Sequence, residues 1–478
     1  MTHTRRSMLQ AGLACTTTFT IPARTIAQQH NTIIDAPGMG GVFDRSPAAL
    51  AAAADDFGHL VHRTPAVVFR PGTTSDISAL VRLAGERGEK VTARGQGHSI
   101  YGRASSMGQT VVVLSTLDKI DAVQSDRVAV EAGATWRSVL KSTLVHRLTP
   151  PVLPNYLDLS VGGTLTVGGI GGTTWRHGMM TDNVLDLTVV TGDGREITCS
   201  RTQDPDLFDA VRAGLAQCGI ITRATLALIS APDHARRYLL QYGDLHSLTR
   251  DQLRLLAERR FDYLQGTVAP DPAGGWRHTL EGIVFFDADN EPDDTGWLSG
   301  LSDDREATMI TDSTYLEYLS AFDNLEQKLR ASGQWFKPHP WLLTFLPGSK
   351  AVEIVADVLS DLTADDLGPI GQVSYYPFRT EAVRTPLLRM PKEPIAFTFN
   401  VIRMPNTDGA AAVERLVAHN RSLYEEINQQ GGVLYPVSAF PMSSLDWRQH
   451  FGDRWMLFKN AKHRFDPGGT LAPGYELF

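Results

Sequence analysis

Thr92-Ala93-Arg94-Gly95-Gln96-Gly97-His98-Ser99-Ile100-Tyr101 is the stretch that decides the fold. Two alternate glycines are followed at once by a histidine and a serine. Gly95 and Gly97 lack Cβ atoms, so backbone N–H groups there can turn toward an anion and approach it closely. A dinucleotide pyrophosphate makes that demand. His98 then stands where a ring system attached to those phosphates would lie. Three readings compete. The glycines make an ordinary tight turn with His98 on the surface. Alternatively, Gly97-His98-Ser99 opens a nucleophile elbow, but Gly-x-Ser-x-Gly needs glycine at position 101, where Tyr101 stands. A Gly-x-Gly-x-x-Gly fingerprint starting at Gly95 fails in turn at Ile100.

Around the loop, strands and helices alternate. Ala48 to Ala54 reads as a helix and Val67 to Phe69 as a strand. A helix starts at Ser75, with Ile77, Leu80, Val81 and Ala84 at the helical period, and Gly88 ends it. Val91 to Ala93 leads into the loop. Thr110 to Leu114 and Val128 to Ala132 read as strands, and a helix lies around Trp136 to Leu144. Val161 to Gly172 is a second glycine-rich region, and Leu165, Val167 and Ile170 punctuate it. That texture predicts backbone packed directly against a ligand, not a flexible linker. Gly192-Asp193-Gly194 joins two strands, Val184 to Thr191 and Glu196 to Cys199, as a hairpin. Asp204-Pro205 opens a helix over Asp206 to Ala216, and Ile220 to Ile229 continues as a strand. From about Ala231 the texture shifts to longer helices, more tryptophan and acidic loops.

The chain has 478 residues, enough for two domains, and a net charge of -8 that gives no support to nucleic-acid binding. Three cysteines, Cys15, Cys199 and Cys218, make neither a disulfide framework nor a metal site. Thr4-Arg5-Arg6-Ser7-Met8-Leu9-Gln10, a mild apolar run to Ile21 and the small residues Thr25-Ile26-Ala27 look like a twin-arginine export signal over 1–27. The bland alternative is a basic tail. No later segment is long and apolar enough to span a membrane.

The loop resembles the flavin-attachment loop of vanillyl-alcohol-oxidase-type FAD enzymes, also called PCMH-type. Within them the chain resembles the cytokinin dehydrogenases. Val161-Gly162-Gly163-Thr164-Leu165, Trp175-Arg176-His177-Gly178 and Asp206-Leu207-Phe208-Asp209 look like the flavin-domain signature. Leu280-Glu281-Gly282, His339-Pro340-Trp341-Leu342 and Arg389-Met390-Pro391 look like the substrate domain. Phe465-Asp466-Pro467 through Pro473-Gly474 looks like a C-terminal return to the flavin. The resemblance implies an α+β fold, with an FAD-binding domain of two α/β subdomains over 28–235. A substrate cap follows over 236–432, and a return segment over 433–478.

The resemblance further implies FAD bonded through its 8α carbon to His98. Ala93, Gly95, Gln96, Gly97, Ser99, Arg103, Ser160, Thr166, Ile170, Ile221, Tyr435, Ala472 and Tyr475 stand at the positions of family FAD contacts. Arg103 replaces a usual glutamine. In the family a hydride leaves a carbon next to nitrogen for the flavin, and an aspartate takes the amine proton. The resulting imine hydrolyses to adenine and an aldehyde. Oxygen or a quinone reoxidises the flavin, and the export machinery is a further partner.

Asn155, in Leu153-Pro154-Asn155-Tyr156, stands where that aspartate belongs. An amide accepts a hydrogen bond but does not take a proton. Three consequences are open. Solvent takes the proton and turnover is slow; another base acts; or the substrate is a different amine or alcohol. Asp158 is the nearby carboxylate, but three residues along a strand it points to the opposite face. Glu281 matches the family's second acidic residue and would orient an amine; its bland reading is an exposed strand glutamate. The reading that leads is an exported FAD-dependent amine oxidoreductase. A flavin carrier or sensor without turnover is the rival from another class, and Ser99 lacks the spacing for a serine hydrolase.

Overall fold

The computed structural model describes residues 39–405 and 409–478; the export-signal segment and Cys15 lie outside them. The glycine loop grows from the edge of a four-stranded sheet. Its strands run Val42–Asp44, Val67–Arg70, Thr110–Val113 and Val91–Arg94 in spatial order, the first pair antiparallel and the rest parallel. Val67, Val68 and Phe69 are fully buried, as expected of a strand covered on both faces. The helix Thr74–Arg87 crosses between the parallel strands. Thr73 and Asp76 close its start as a capping box, and Gly88 ends it at φ 67°, where only glycine is relaxed. Ile77, Leu80, Val81 and Ala84 form its buried stripe.

The C-terminus extends this sheet. Val91 N–H donates to Thr470 O (2.8 Å) and Ala472 N–H donates to Val91 O (3.0 Å). Asp466 locks the return: its carboxylate accepts from Thr470 N–H at 2.7 Å and from Lys462 Nζ at 2.6 Å.

A second sheet is antiparallel, in the order Arg127–Glu131, Ile220–Ala227, Val184–Val190, Glu196–Ser200. Here three expectations need correction. The helix after Pro205 stops at Val211, not Ala216. Ala213 and Leu215 instead donate their N–H groups to Leu165 O and Thr166 O, both at 2.9 Å, with φ of 54° and 55°. Long-range hydrogen bonds there override helix propensity. The strand from Ile220 breaks after Ala227, and Ile229–Ser230 turns away to pair with Leu148–Thr149. The glycine run 161–172 packs mostly on protein. It holds the short helix Val161–Leu165, and a Cβ on Gly162, Gly171 or Gly172 would overlap Ala132, Leu153 O or the Tyr263 ring.

Over this base lies an eight-stranded antiparallel sheet, from Met309–Thr314 at one edge to Val433–Leu434 at the other. It begins at His234 and ends at Leu434, two residues outside the expected cap span 236–432 at each end. Helices Leu245–Glu258 and Ala351–Asp361 pack on it through Leu248, Leu255, Ile354 and Val355. One apolar cluster runs from Val128 of the second sheet to Phe399 of the large sheet, so base and cap share a core. Cys199 and Cys218 are free and buried. Among the described residues no helix is long and apolar enough to cross a membrane.

Candidate active site

The strand Val91–Arg94 delivers the loop to the mouth of a cavity between base and cap. Gly97 takes φ 70°, which only glycine adopts without strain. A Cβ on Gly95 would overlap Ser160 Oγ. Ser160 thus sits against two glycines, Gly95 and Gly163, and no larger residue fits at either.

Of the fourteen residues placed at flavin contacts, thirteen line this one cavity: Ala93, Gly95, Gln96, Gly97, His98, Ser99, Arg103, Ser160, Thr166, Ile170, Tyr435, Ala472 and Tyr475. Ile221 does not line it. Its side chain is 2 % exposed in the apolar core of the second sheet, because its strand register turns it inward. Leu215 and Ala216, in the segment that failed to be helical, also line the cavity, as do Trp341 and Leu343 of the cap.

The donor set fits FAD. Arg103 brings a cation. It lies over Tyr475 at 5.0 Å and Tyr101 at 5.3 Å, and among the described residues donates only to carbonyls, Gly474 O at 3.2 Å and Phe440 O at 3.5 Å. A guanidinium that hydrogen-bonds only neutral carbonyls among the described residues suits a diphosphate. Thr92 Oγ1 is buried at the same wall with no hydrogen-bond partner among the described residues, and such a group seeks one. Tyr435 OH accepts from Gly169 N–H (3.2 Å), fixing the second glycine segment to the cap. Val167, Ile170, Leu343 and Trp341 offer apolar surface to a flat ring.

His98 is stacked on Phe57, ring centroids 4.0 Å apart and planes 17° from parallel, with Tyr156 beyond at 4.8 Å. Burial, helped by the charges of His339 and Arg330, pushes its pKa down to about 3. The imidazole is therefore neutral at physiological pH, with a free nitrogen lone pair.

Asn155 and Glu281 lie outside that cavity lining, though Pro154 belongs to it. Asn155 is locked into a neutral network. Its Nδ2 donates to Gln265 Oε1 (3.0 Å), and Tyr263 OH donates to Asn155 Oδ1 (3.0 Å) and to Gln265 Oε1 (2.6 Å). Gln265 is the cross-strand partner of Glu281, so the two expected site residues meet through it. Glu281 Oε1 takes Arg237 Nε at 2.5 Å. Burial, then the Glu281 charge, drives the Tyr263 hydroxyl well above its usual pKa. Tyr263 is thus a donor here and not a base.

Asp158 needs a different explanation from the strand argument. The segment 155–159 is bends and turn, not strand. Asp158 is occupied by Arg137, at 2.7 and 3.0 Å, which also holds Asp323. Tyr263, Gln265 and Arg237 escaped the sequence reading. The alternation Tyr263-x-Gln265 on a strand would have placed both on one face. Nothing local announced their partner at position 155.

Comparison with known proteins agrees with this geometry. Residues 65–200 match the FAD binding domain family. Residues 278–478 match the family described as cytokinin dehydrogenase 1, FAD and cytokinin binding. An uncharacterized oxidoreductase of the fasciation locus of Rhodococcoides fascians is 39% identical, over 92% of this chain and 99% of its own. Cytokinin dehydrogenase 10 of Oryza sativa subsp. japonica is 34% identical over 90% of this chain and 87% of its own. Cytokinin dehydrogenase 2 of Arabidopsis thaliana is 31% identical over 95% and 97%. The chain belongs to the cytokinin dehydrogenase family and is an FAD-dependent oxidoreductase.

Proposed function

We propose, with that membership as premise, that the protein oxidises a C–N bond of an N6-substituted adenine, using FAD bonded to His98. The observation that carries the reading is the convergence of thirteen sequence-matched residues on one cavity, with a neutral His98 in its wall. Bound FAD supplies a two-electron hydride acceptor. The chain does the rest. Arg103, Ser160 and the Gly95–Gly97 backbone hold the diphosphate end. Asn155 Oδ1 accepts the substrate N–H and orients it. Glu281 Oε2, the oxygen not bonded to Arg237, steadies the same amine. The Asn155 amide does not take the proton, and Glu281 is held as an ion pair by Arg237, so the proton passes to water, and the imine product hydrolyses to adenine and an aldehyde.

The neutral Asn155–Gln265–Tyr263 network favours one second reading, an FAD-linked oxidase of another small amine or alcohol that needs no base at this point. Export by the twin-arginine route to the periplasm or outside the cell belongs to the same proposal. It rests on Arg5-Arg6 and the apolar run after them. A flavin acquired before export and bonded to His98 is not lost afterwards. Oxygen or a quinone then serves as electron acceptor.

The test mixes the purified protein with isopentenyladenine without oxygen while the visible flavin absorption is recorded. Rapid bleaching supports cytokinin oxidation without a carboxylate at position 155. A flavin spectrum that stays oxidised turns the assignment to other amines and alcohols. A protein purified with no flavin band sinks the cofactor reading.

A further inference from the structure

The segment Asp56-Phe57-Gly58, distant in sequence, runs along the outside of the His98 loop and touches it at every residue. Phe57 N–H donates to Gly97 O (2.9 Å), and Gly58 N–H donates to Ser99 O (3.2 Å). These two bonds straddle His98 and hold its backbone from both sides. Asp56 accepts from Ser99 Oγ at 2.7 Å, Gly102 N–H at 2.6 Å and Gly58 N–H at 3.1 Å. Gly58 has no room for a side chain, since a Cβ would overlap the Ile100 backbone.

The Phe57 ring lies flat on His98 and is itself braced. His339 stacks on its other face at 4.1 Å and 11°, and Trp335 and Trp341 of the cap close its edges at 4.8 and 5.4 Å. His339 Nδ1–H donates to Phe57 O (2.7 Å), and His339 N–H donates to Gly58 O (2.9 Å). Phe57 is 7 % exposed and His339 fully buried. A flat ring stacked on an imidazole and clamped behind by a second imidazole restricts how the first can turn. Ordinary loop packing does not need a three-ring stack ending in the cap.

We propose that Asp56 and Phe57 are positioning residues that pre-set the His98 ring for bond formation with the flavin. The proposal rests on the covalent reading of His98 given above. In that step a C–N bond forms between imidazole nitrogen and the flavin 8α carbon. One methyl C–H and the imidazole N–H break. The two protons and two electrons released reduce the same flavin, and the enzyme's electron acceptor, oxygen or a quinone, reoxidises it. Holding a nucleophile in a near-attack geometry is worth large factors, and a misplacement of about 1 Å costs on the order of 100-fold. Neither Asp56 nor Phe57 exchanges a proton or forms a bond in this step; both act by holding His98 in place.

The experiment compares the full-length protein with Asp56→Asn, Phe57→Leu, His339→Gln and His98→Ala. Total bound flavin is read from absorption of the native protein, and covalent flavin from what stays on the chain after acid precipitation. The time course is followed after adding FAD to flavin-depleted protein. The expected result is unchanged total flavin in Asp56→Asn and Phe57→Leu, with covalent coupling slowed about 10–100-fold. His339→Gln, which can still donate to Phe57 O, slows it less. His98→Ala binds flavin without coupling. Coupling at the native rate in both Asp56→Asn and Phe57→Leu overturns the proposal. So does loss of total flavin together with covalent flavin in all three strap variants, since the strap would then be scaffold alone. Flavin that washes off the native protein overturns the covalent reading itself, an outcome seen without any variant.

Discussion

Restoring a carboxylate by Asn155→Asp is the sharpest perturbation available at this site. The structure says what the change costs. Asn155 Nδ2 now donates to Gln265 Oε1 at 3.0 Å, and an aspartate oxygen there would face another acceptor. Gln265 relieves the clash by turning its amide so that Nε2 donates. Tyr263 OH, at 3.0 Å from Asn155 Oδ1, keeps donating, now to a charge. A neutral hydrogen bond worth about 0.5–1.5 kcal/mol is exchanged for one to a charged carboxylate, worth about 1.5–3 kcal/mol. Position 155 is exposed, so the new charge stays solvated and the fold should hold. Glu281, across the strand pair from Gln265, repels the new carboxylate and raises its pKa. At neutral pH it is ionised and can take the amine proton. General-base help is worth about 10²–10⁴-fold, or about 3–5 kcal/mol off the barrier at 1.36 kcal/mol per decade. The assay is anaerobic flavin reduction by an N6-alkyl adenine in a stopped-flow instrument, across pH 5 to 9. The variant should show the faster rate and a new limb that rises with pH through the introduced group. An unchanged rate, with flavin content intact, would refute the argument that position 155 handles the proton. An equal gain with a simple alcohol would refute the amine specificity.

Three further outcomes are expected. Gly172→Ala drives a methyl into the Tyr263 ring; it should cost about 1–3 kcal/mol by overpacking and lower kcat by displacing Tyr263 from Asn155, read by thermal unfolding and turnover together. In a His98→Ala background, Arg103→Gln should weaken FAD binding about tenfold at low salt while riboflavin affinity barely changes, since a charge-assisted contact is worth about 1.5–3 kcal/mol before screening; equal losses for both ligands would move Arg103 away from the diphosphate. Asp56, pushed by burial from 3.8 up to about 6, binds its proton more tightly when folded. Its contribution is complete below the unfolded pKa and is lost as pH rises from 3.8 to about 6, by roughly 3 kcal/mol at 1.36 kcal/mol per unit. The stability difference between native protein and Asp56→Asn should therefore change with pH across that window and be flat above it.

Much of the architecture was legible because local rules and tertiary demands agreed. Thr73, the apolar stripe from Ile77 to Ala84 and Gly88 spell a helix start, face and stop, and the chain obeys. Gly192-Asp193-Gly194 makes its hairpin between Val184–Val190 and Glu196–Ser200. The misreadings share one cause. The helix pattern runs on past Val211, yet the N–H groups of Ala213 and Leu215 answer to carbonyls of Leu165 and Thr166, some fifty residues earlier in the chain. The glycines of 161–172 were rightly read as places of close approach, but most of what approaches is protein.

The sequence by itself determined that glycines stand at positions 95 and 97 with His98 directly after them, a pattern that allows backbone to approach an anion. It also determined that no carboxylate stands at position 155. Such statements need only residue chemistry and near neighbours. Tertiary structure alone decided what surrounds them. It brought Gln265 to Asn155 across 110 residues, Asp56 to Ser99 across 43, and Phe57 O to His339 across 282. It also turned Ile221 into the core and set Arg103 against the carbonyls of Gly474 and Phe440. Propensity and spacing act over one or two turns of chain, whereas burial and pairing energies are set by whatever the fold brings into contact.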